Sequence, residues 1–155
     1  MTSVSKPQKV HIGIMALPLN KSGQFLITKR NEPKFPPAHH KWQITGGGME
    51  FGETPEQTLT REFQEELSVT PKILYPHPIL KTYLWDYQDH QSHILLACYV
   101  VDIGNQSPKV DGFENIAYKW IPPQDIHHLD FLPLCDEIIS EAQQIVQEKN
   151  LLSLL

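Results

Sequence analysis

The alternation of apolar and polar positions along the chain divides it into strands, two helices and the turns between them. Lys9 to Leu19 is mostly apolar with Gly13 and Ala16 inside it, the pattern of a buried strand rather than of a short helix. Asn20 to Gly23 reads as a turn and Gln24 to Lys29 as a second strand, so the chain opens on a predicted hairpin. At Thr54 the period changes to that of a helix: Thr54 suits the N-cap, Pro55 the first helical position and Gln57 the third position of a capping box. Leu59, Phe63 and Leu67 then fall on one stripe. Ile79 to Tyr87 and His93 to Val101 form a second predicted hairpin across Gln88 to Gln91. Tyr83, Trp85 and Tyr87 alternate onto one face of its first strand, and the second strand, HILLACYVV, is apolar almost throughout, as a central strand is. A polar loop from Asn105 to Asn115 leads to a short strand, IAYKWIP, and then to a turn or short helix from Pro122 to Ile126. Cys135, Ile138, Ile139, Ala142, Ile145 and Val146 recur at helical spacing in a final helix from Pro133 to about Lys149. These elements imply an α/β/α sandwich around a mixed sheet.

Composition narrows this picture. A chain of 155 residues is one domain, 1–155, and can bury a core without staples. Cys98 and Cys135 lie in apolar surroundings without metal-ligand spacing, which favours buried, reduced thiols. No apolar run is long enough to span a bilayer and the opening MTSVSKPQKV lacks the apolar core of a leader, so the expectation is a soluble, cytoplasmic protein with no membrane partner. A net charge of -5 argues against a nucleic-acid polymer as partner. Small phosphorylated substrates stay open, since metal ions can supply the positive charge.

The chemistry concentrates between Gly46 and Val69, GGGMEFGETPEQTLTREFQEELSV. Three glycines feed a helix on which Glu62, Glu65 and Glu66 border the apolar stripe. Like charges at neighbouring helical positions cost a few tenths of a kcal/mol per pair, and they lie toward the negative end of the helix dipole. A cation would offset this. Mg²⁺, with Mn²⁺ as the alternative, takes oxygen ligands, binds one or two carboxylates and leaves the rest of its shell to water and phosphate. The competing reading for a lone E-x-x-E-E run is a solvated acidic face.

The run is not alone. From Gly47 the chain has five residues, Glu53, seven residues, Arg61, Glu62, an apolar Phe63, one residue, Glu65, Glu66, one residue, Ser68 and an apolar Val69. This resembles the Nudix box of the Nudix hydrolases at all specified positions but one. The departure is Ser68, where the pattern has glycine; a milder one is Thr45, where many members have proline. The order of elements around the box also looks like a whole Nudix domain.

The resemblance implies that Glu62, Glu65 and Glu66 bind metal with the Gly47 carbonyl, and that Glu53 and Arg61 pair to hold the loop against the helix. It also implies hydrolysis of a nucleoside diphosphate linked to a further group. The short chain, the EFGE that follows the glycines and Trp120 look most like the MutT-type branch, which implies conversion of a (deoxy)nucleoside triphosphate to monophosphate and pyrophosphate. A dinucleoside polyphosphate or ADP-ribose hydrolase is the second choice, and a non-catalytic nucleotide-binding module the rival from another class. Glu65 or Glu114 would be the general base, with Asp111 in reserve. Arg30, at the end of its strand, matches a basic residue that reaches substrate phosphates; the alternative is a solvated strand terminus. Trp42 matches an aromatic that packs ahead of the glycines. The adjacent His39 and His40 read as surface residues, because neighbours point different ways and no third ligand is apparent. The face carrying Trp85 either stacks a base or packs under the final helix. Phe131, Leu132 and Pro133 are expected to wall a base pocket, with Asp130 either accepting from the base or capping the final helix. A homodimer is compatible with all of this.

Overall fold

The structure is a computed structural model that describes residues 5–155; the first four residues of the segment read above as lacking a leader lie outside the described residues. Eight strands and two α-helices follow in the order β1 (Gln8–Pro18), β2 (Phe25–Arg30), β3 (Trp42–Gln43), β4 (Thr45–Gly48), α1 (Pro55–Leu67), β5 (Lys72–Ile73), β6 (Ile79–Asp86), β7 (Gln91–Asp102), β8 (Asn115–Ile121) and α2 (Cys135–Glu148). Short 3₁₀ turns span Pro123–His128 and Leu151–Leu154.

The main sheet runs β4-β1-β7-β5, with β6 also paired to β7, and a smaller sheet runs β3-β2-β8. Its centre is a parallel pair, β1 with β7, in which Gly13 faces Leu96 and Ala16 faces Tyr99. The predicted opening hairpin does not form. Both edges of β1 are taken, one by β7 and the other by β4, so β2 has no edge to join. After the turn, which Asn20 closes by accepting from the amides of Ser22 and Gln24, the chain keeps only a Leu19–Phe25 bridge and crosses to the smaller sheet. The β6–β7 hairpin forms as expected.

Strand alternation gives the sheets two apolar faces. Ile14, Ala16, Leu26, Ala97, Tyr99 and Val101 pack with Leu59, Phe63 and Leu67 of α1. Leu17, Phe25, Ile27, Cys98 and Val100 pack with Ile138, Ile139, Ala142 and Val146 of α2. The sandwich is therefore α/β/α, as expected. Phe63 and Leu67 are fully buried, and burial of such a side chain is worth about 1.5–3 kcal/mol. Both cysteines are free and buried, and burial pushes the Cys135 thiol up to about 12 and the Cys98 thiol higher still. No helix among the described residues is long and apolar enough to cross a membrane.

Candidate active site

Helix α1 begins as its sequence dictates. Thr54 accepts from the Gln57 amide, the Gln57 side chain accepts from the Thr54 amide, and Pro55 follows. At the other end Ser68 stands at φ 55° and ψ 35°, the left-handed conformation that a glycine would adopt with less strain. Its amide still closes the helix on the Gln64 carbonyl, so the departure from the box pattern leaves the exit of the helix intact.

The glycine turn lies flat on β1. Gly46, at φ 148°, would drive a Cβ to 2.2 Å from the Ile14 carbonyl oxygen, and a Cβ on Gly47 would lie 2.3 Å from Oε1 of Glu62. Backbone atoms require glycine at Gly46, while at Gly47 the missing Cβ lets a helix carboxylate rest against bare backbone. Arg61 ties the two elements together. Its Nε and Nη2 donate to the two oxygens of Glu53 at 2.7 and 3.0 Å, and Nη2 also donates to the Gly48 carbonyl at 2.9 Å. Glu53 accepts in addition from the Glu50 amide and the Thr58 hydroxyl. These donors hold the Glu53 carboxyl down to about 2, the Arg61 guanidinium coming first.

The box glutamates lie in graded environments. Glu65 is 60% exposed, with a carboxylate oxygen 3.7 Å from Arg61. Glu62 is largely covered and accepts from Arg61 Nη1 at 2.6 Å, yet burial still raises its pKa. Glu66 is 4% exposed and is pushed up to about 8 by burial first, then by the charges of Glu62 and Glu114. Its one side-chain partner is Asn115, whose Nδ2 donates to Oε2 at 3.0 Å. Among the described residues no three acidic, histidine or cysteine groups converge into a ready metal cage. Glu62 and Glu65 both lie toward Arg61, while Glu66 turns to Asn115.

A cavity of about 310 Å³ opens beside the turn, lined by Gly46, Gly47 and Gly48. Arg30 projects into it from the end of β2, bound to Glu32 at 2.8 Å and to Gln43 at 3.3 Å. Tyr83, Trp85 and Tyr87 form one wall with Phe35, whose ring meets Trp85 edge-on at 5.5 Å. Of the two readings of this face, the rings line the cavity, while Lys81 on the same face of β6 pairs with Glu137 and Glu141 of α2. Leu132 and Pro133 line the cavity as expected. Phe131 does not: it bridges to Trp42 and packs against the α2 core. Nor does Asp130, which holds Lys41 with both oxygens at 2.6 Å and is 72% exposed on its side chain. It does not cap α2 either, since Leu134 stands at the N-cap with no side-chain bond. The strand-like pairing of the Asp130 carbonyl with the Trp42 amide turns its side chain outward. Trp42 is a packing residue, flanked by the ammonium groups of Lys29 and Lys119.

Glu114 is exposed near Glu62 and Glu66, and its charge acts on both. Asp111 instead accepts the amides of Phe113, Glu114 and Asn115 and so shapes the loop that presents Glu114. Two site residues, Gln43 and Asn115, escaped the sequence reading. Asn115 sat at the end of a loop that read as polar and Gln43 in a two-residue strand too short to show a pattern, so no sequence signal marked either.

Similarity to known proteins identifies the family. The NUDIX domain family model matches residues 9–141. The chain belongs to the Nudix family. Among curated relatives, the 8-oxo-dGTP diphosphatase of Escherichia coli K12 is 30% identical over 142 residues, covering 90% of this chain and 99% of the relative. The nucleoside triphosphatase NudI of Escherichia coli O139:H28 is 28% identical over 121 residues, 72% of this chain and 82% of the relative. Among solved structures, the E. coli ORF135 protein superposes with a TM-score of 0.69 at 17% identity, covering 92% of this chain and 94% of that one. This Nudix chain is accordingly a hydrolase of pyrophosphate bonds in nucleotides.

Nudix hydrolases generally need a divalent metal. Glu62, Glu65 and Glu66 offer only carboxylate oxygens, a donor chemistry that suits a hard cation. Glu66, buried with its charge uncompensated, and the contact that a Cβ on Gly47 would close are the features such an ion would answer.

Proposed function

We propose that the protein converts a (deoxy)nucleoside triphosphate to the monophosphate and pyrophosphate, with Mg²⁺, or Mn²⁺ in its place, held by Glu62, Glu65, Glu66 and the Gly47 carbonyl. The observation that carries this reading is the aromatic-walled cavity opening onto the glycine turn, with Arg30 inside it. Bound metal would neutralise phosphate charge and make the attacking water more acidic.

The chain's own residues divide the remaining work. Arg30, on the cavity wall, donates to phosphate oxygens; its Nε has no acceptor among the described residues. The faces of Trp85 and Tyr83 give a base a stacking surface, while Leu132 closes the apolar side. Glu65 and Glu114 are the carboxylates exposed enough to take a proton from water, and Glu53 with Arg61 keeps the turn in register with α1. General-base assistance typically contributes 10²–10⁴-fold.

A panel of nucleoside triphosphates, dinucleoside polyphosphates and ADP-ribose, assayed with Mg²⁺ and resolved by product chromatography, tests the reading. The expected products are a monophosphate and pyrophosphate from triphosphates, abolished by chelator. Cleavage confined to dinucleotides or ADP-ribose would redirect the substrate, and binding without turnover across the panel would make the protein a nucleotide-binding module. The relatives named above motivate including an oxidised guanine triphosphate in the panel.

A further inference from the structure

A chain of buried side chains runs from the cavity to the far end of α1. Arg30 Nη1 donates to Gln43 Oε1 at 3.3 Å, Gln43 Nε2 donates to Asn115 Oδ1 at 2.9 Å, and Asn115 Nδ2 donates to Glu66 Oε2 at 3.0 Å. Gln43 is 6% exposed, Asn115 0% and Glu66 4%. Arg30 sets the direction. A guanidinium can only donate, so Gln43 must present its oxygen to Arg30 and its NH₂ to Asn115, and Asn115 then turns its own NH₂ toward Glu66. Turning either amide over would set donor against donor on its Arg30 side. In an interior of low dielectric such a mismatch costs more than the loss of one exposed hydrogen bond.

The elements explain why these residues meet. β2 carries Arg30 and pairs with both β3, which holds Gln43, and β8, which begins at Asn115. The register shifts between Lys29 and Arg30, so that Arg30 faces Asn115 directly at the strand end beside α1. The smaller sheet thereby carries a polar seam from the cavity to the helix. Asn115 occupies one oxygen of Glu66, and Oε1 has no side-chain partner among the described residues.

We propose that Gln43 and Asn115 are positioning residues that fix the orientation of the Glu66 carboxylate for a divalent cation and link it to Arg30. The link rests on the metal assignment given above. It implies that a ligand drawing on Arg30 tightens cation binding at Glu66, and that the cation strengthens the ligand by the same factor. No contact between the two ligands is required for this part of the effect.

Mn²⁺ binding without nucleotide, followed by electron paramagnetic resonance on the full chain, tests the relay, with Tm recorded for each variant. Loss of an outer partner of a metal ligand typically weakens metal affinity 10–100-fold. Asn115→Leu is expected to raise the Mn²⁺ Kd about tenfold or more. Gln43→Met, one bond farther away, should raise it several-fold, and Arg30→Met least. A purely structural seam would lower Tm and leave the Mn²⁺ Kd of the folded protein unchanged in all three, which would overturn the proposal. If Asn115→Leu fails to fold, the ordering of Gln43→Met against Arg30→Met carries the test. Wild-type protein that binds no Mn²⁺ would overturn the metal assignment itself, whereas wild-type binding with unaltered variants would overturn the relay alone.

Discussion

The two ends of α1 carry carboxylates of opposite character. At the start, Glu53 meets a bidentate guanidinium, an amide and a hydroxyl, and its carboxyl is held down to about 2. Toward the end, Glu66 has one neutral amide and three neighbouring acids, and it is pushed up to about 8. Both are parts of the same box. The difference is whether the protein itself supplies the counter-charge. Where it does, the carboxylate is fixed in a network of donors; where it does not, it stays without counter-charge, which is what the proposed cation would supply. Perturbed carboxylates in clefts mark functional sites for this reason.

The largest effect expected from breaking this contrast is on turnover. Glu66→Gln keeps an acceptor for Asn115 but removes the charge, and a steady-state assay with Mg²⁺ should show kcat reduced by roughly a hundredfold or more while circular dichroism reports an intact fold. Near-normal turnover would take Glu66 out of the metal site. Arg61→Ala attacks the other end. It leaves Glu53 and Glu62 without their guanidinium and frees the Gly48 carbonyl, so activity should fall about tenfold and Tm by several degrees together. A stable, fully active variant would show the anchor to be incidental.

A smaller effect is the dependence of stability on pH. In metal-free protein, folded Glu66 keeps its proton up to about pH 8, while the unfolded chain releases it near 4.5. A raised folded-state pKa means that its contribution is fully present below about pH 4.5 and is lost as pH rises toward 8. Glu53 runs the other way: its contribution is present above about pH 4.5 and is lost as pH falls toward 2. Thermal melts in chelator across the upper window should therefore fall with pH in wild type and stay flatter in Glu66→Gln. Parallel slopes would remove Glu66 as their source. The smallest effect concerns Ser68, which holds a left-handed conformation at φ 55°. Ser68→Gly should raise unfolding stability by roughly 0.5–1 kcal/mol in denaturant titration with kcat unchanged. A loss of stability would show that the serine is favoured by contacts that outweigh its strain.

The anchored end was legible in the sequence and the uncompensated end only in part. Thr54, Pro55 and Gln57 announce the helix start because such signals are local, and the resemblance to the Nudix box implied the pairing of Glu53 with Arg61. The apolar stripes likewise gave both helices and the β6–β7 hairpin. The crossing of β2 into a second sheet was not legible, since it depends on β7 and β4 claiming both edges of β1 from distant parts of the chain. The same applies to Asn115 and Gln43, which meet Glu66 and Arg30 only through that crossing. Asp130 misled because a carboxylate ahead of a helix invites a cap, whereas Lys41, brought in by β3, takes it instead. Trp85 and its neighbours were read correctly as one face, but what covers that face is a loop residue, Phe35, that no period marks.

The most direct test of the central contrast is the change in Tm on adding Mg²⁺ near pH 8 to wild type, Glu66→Gln and Arg61→Ala. A ligand that binds only the folded state raises Tm by mass action. The account predicts a clear rise in wild type, little or none in Glu66→Gln, and a rise that survives in Arg61→Ala above a lower starting point. An equal rise in wild type and Glu66→Gln would contradict it, because the cation would then be answering a charge other than the one buried at Glu66.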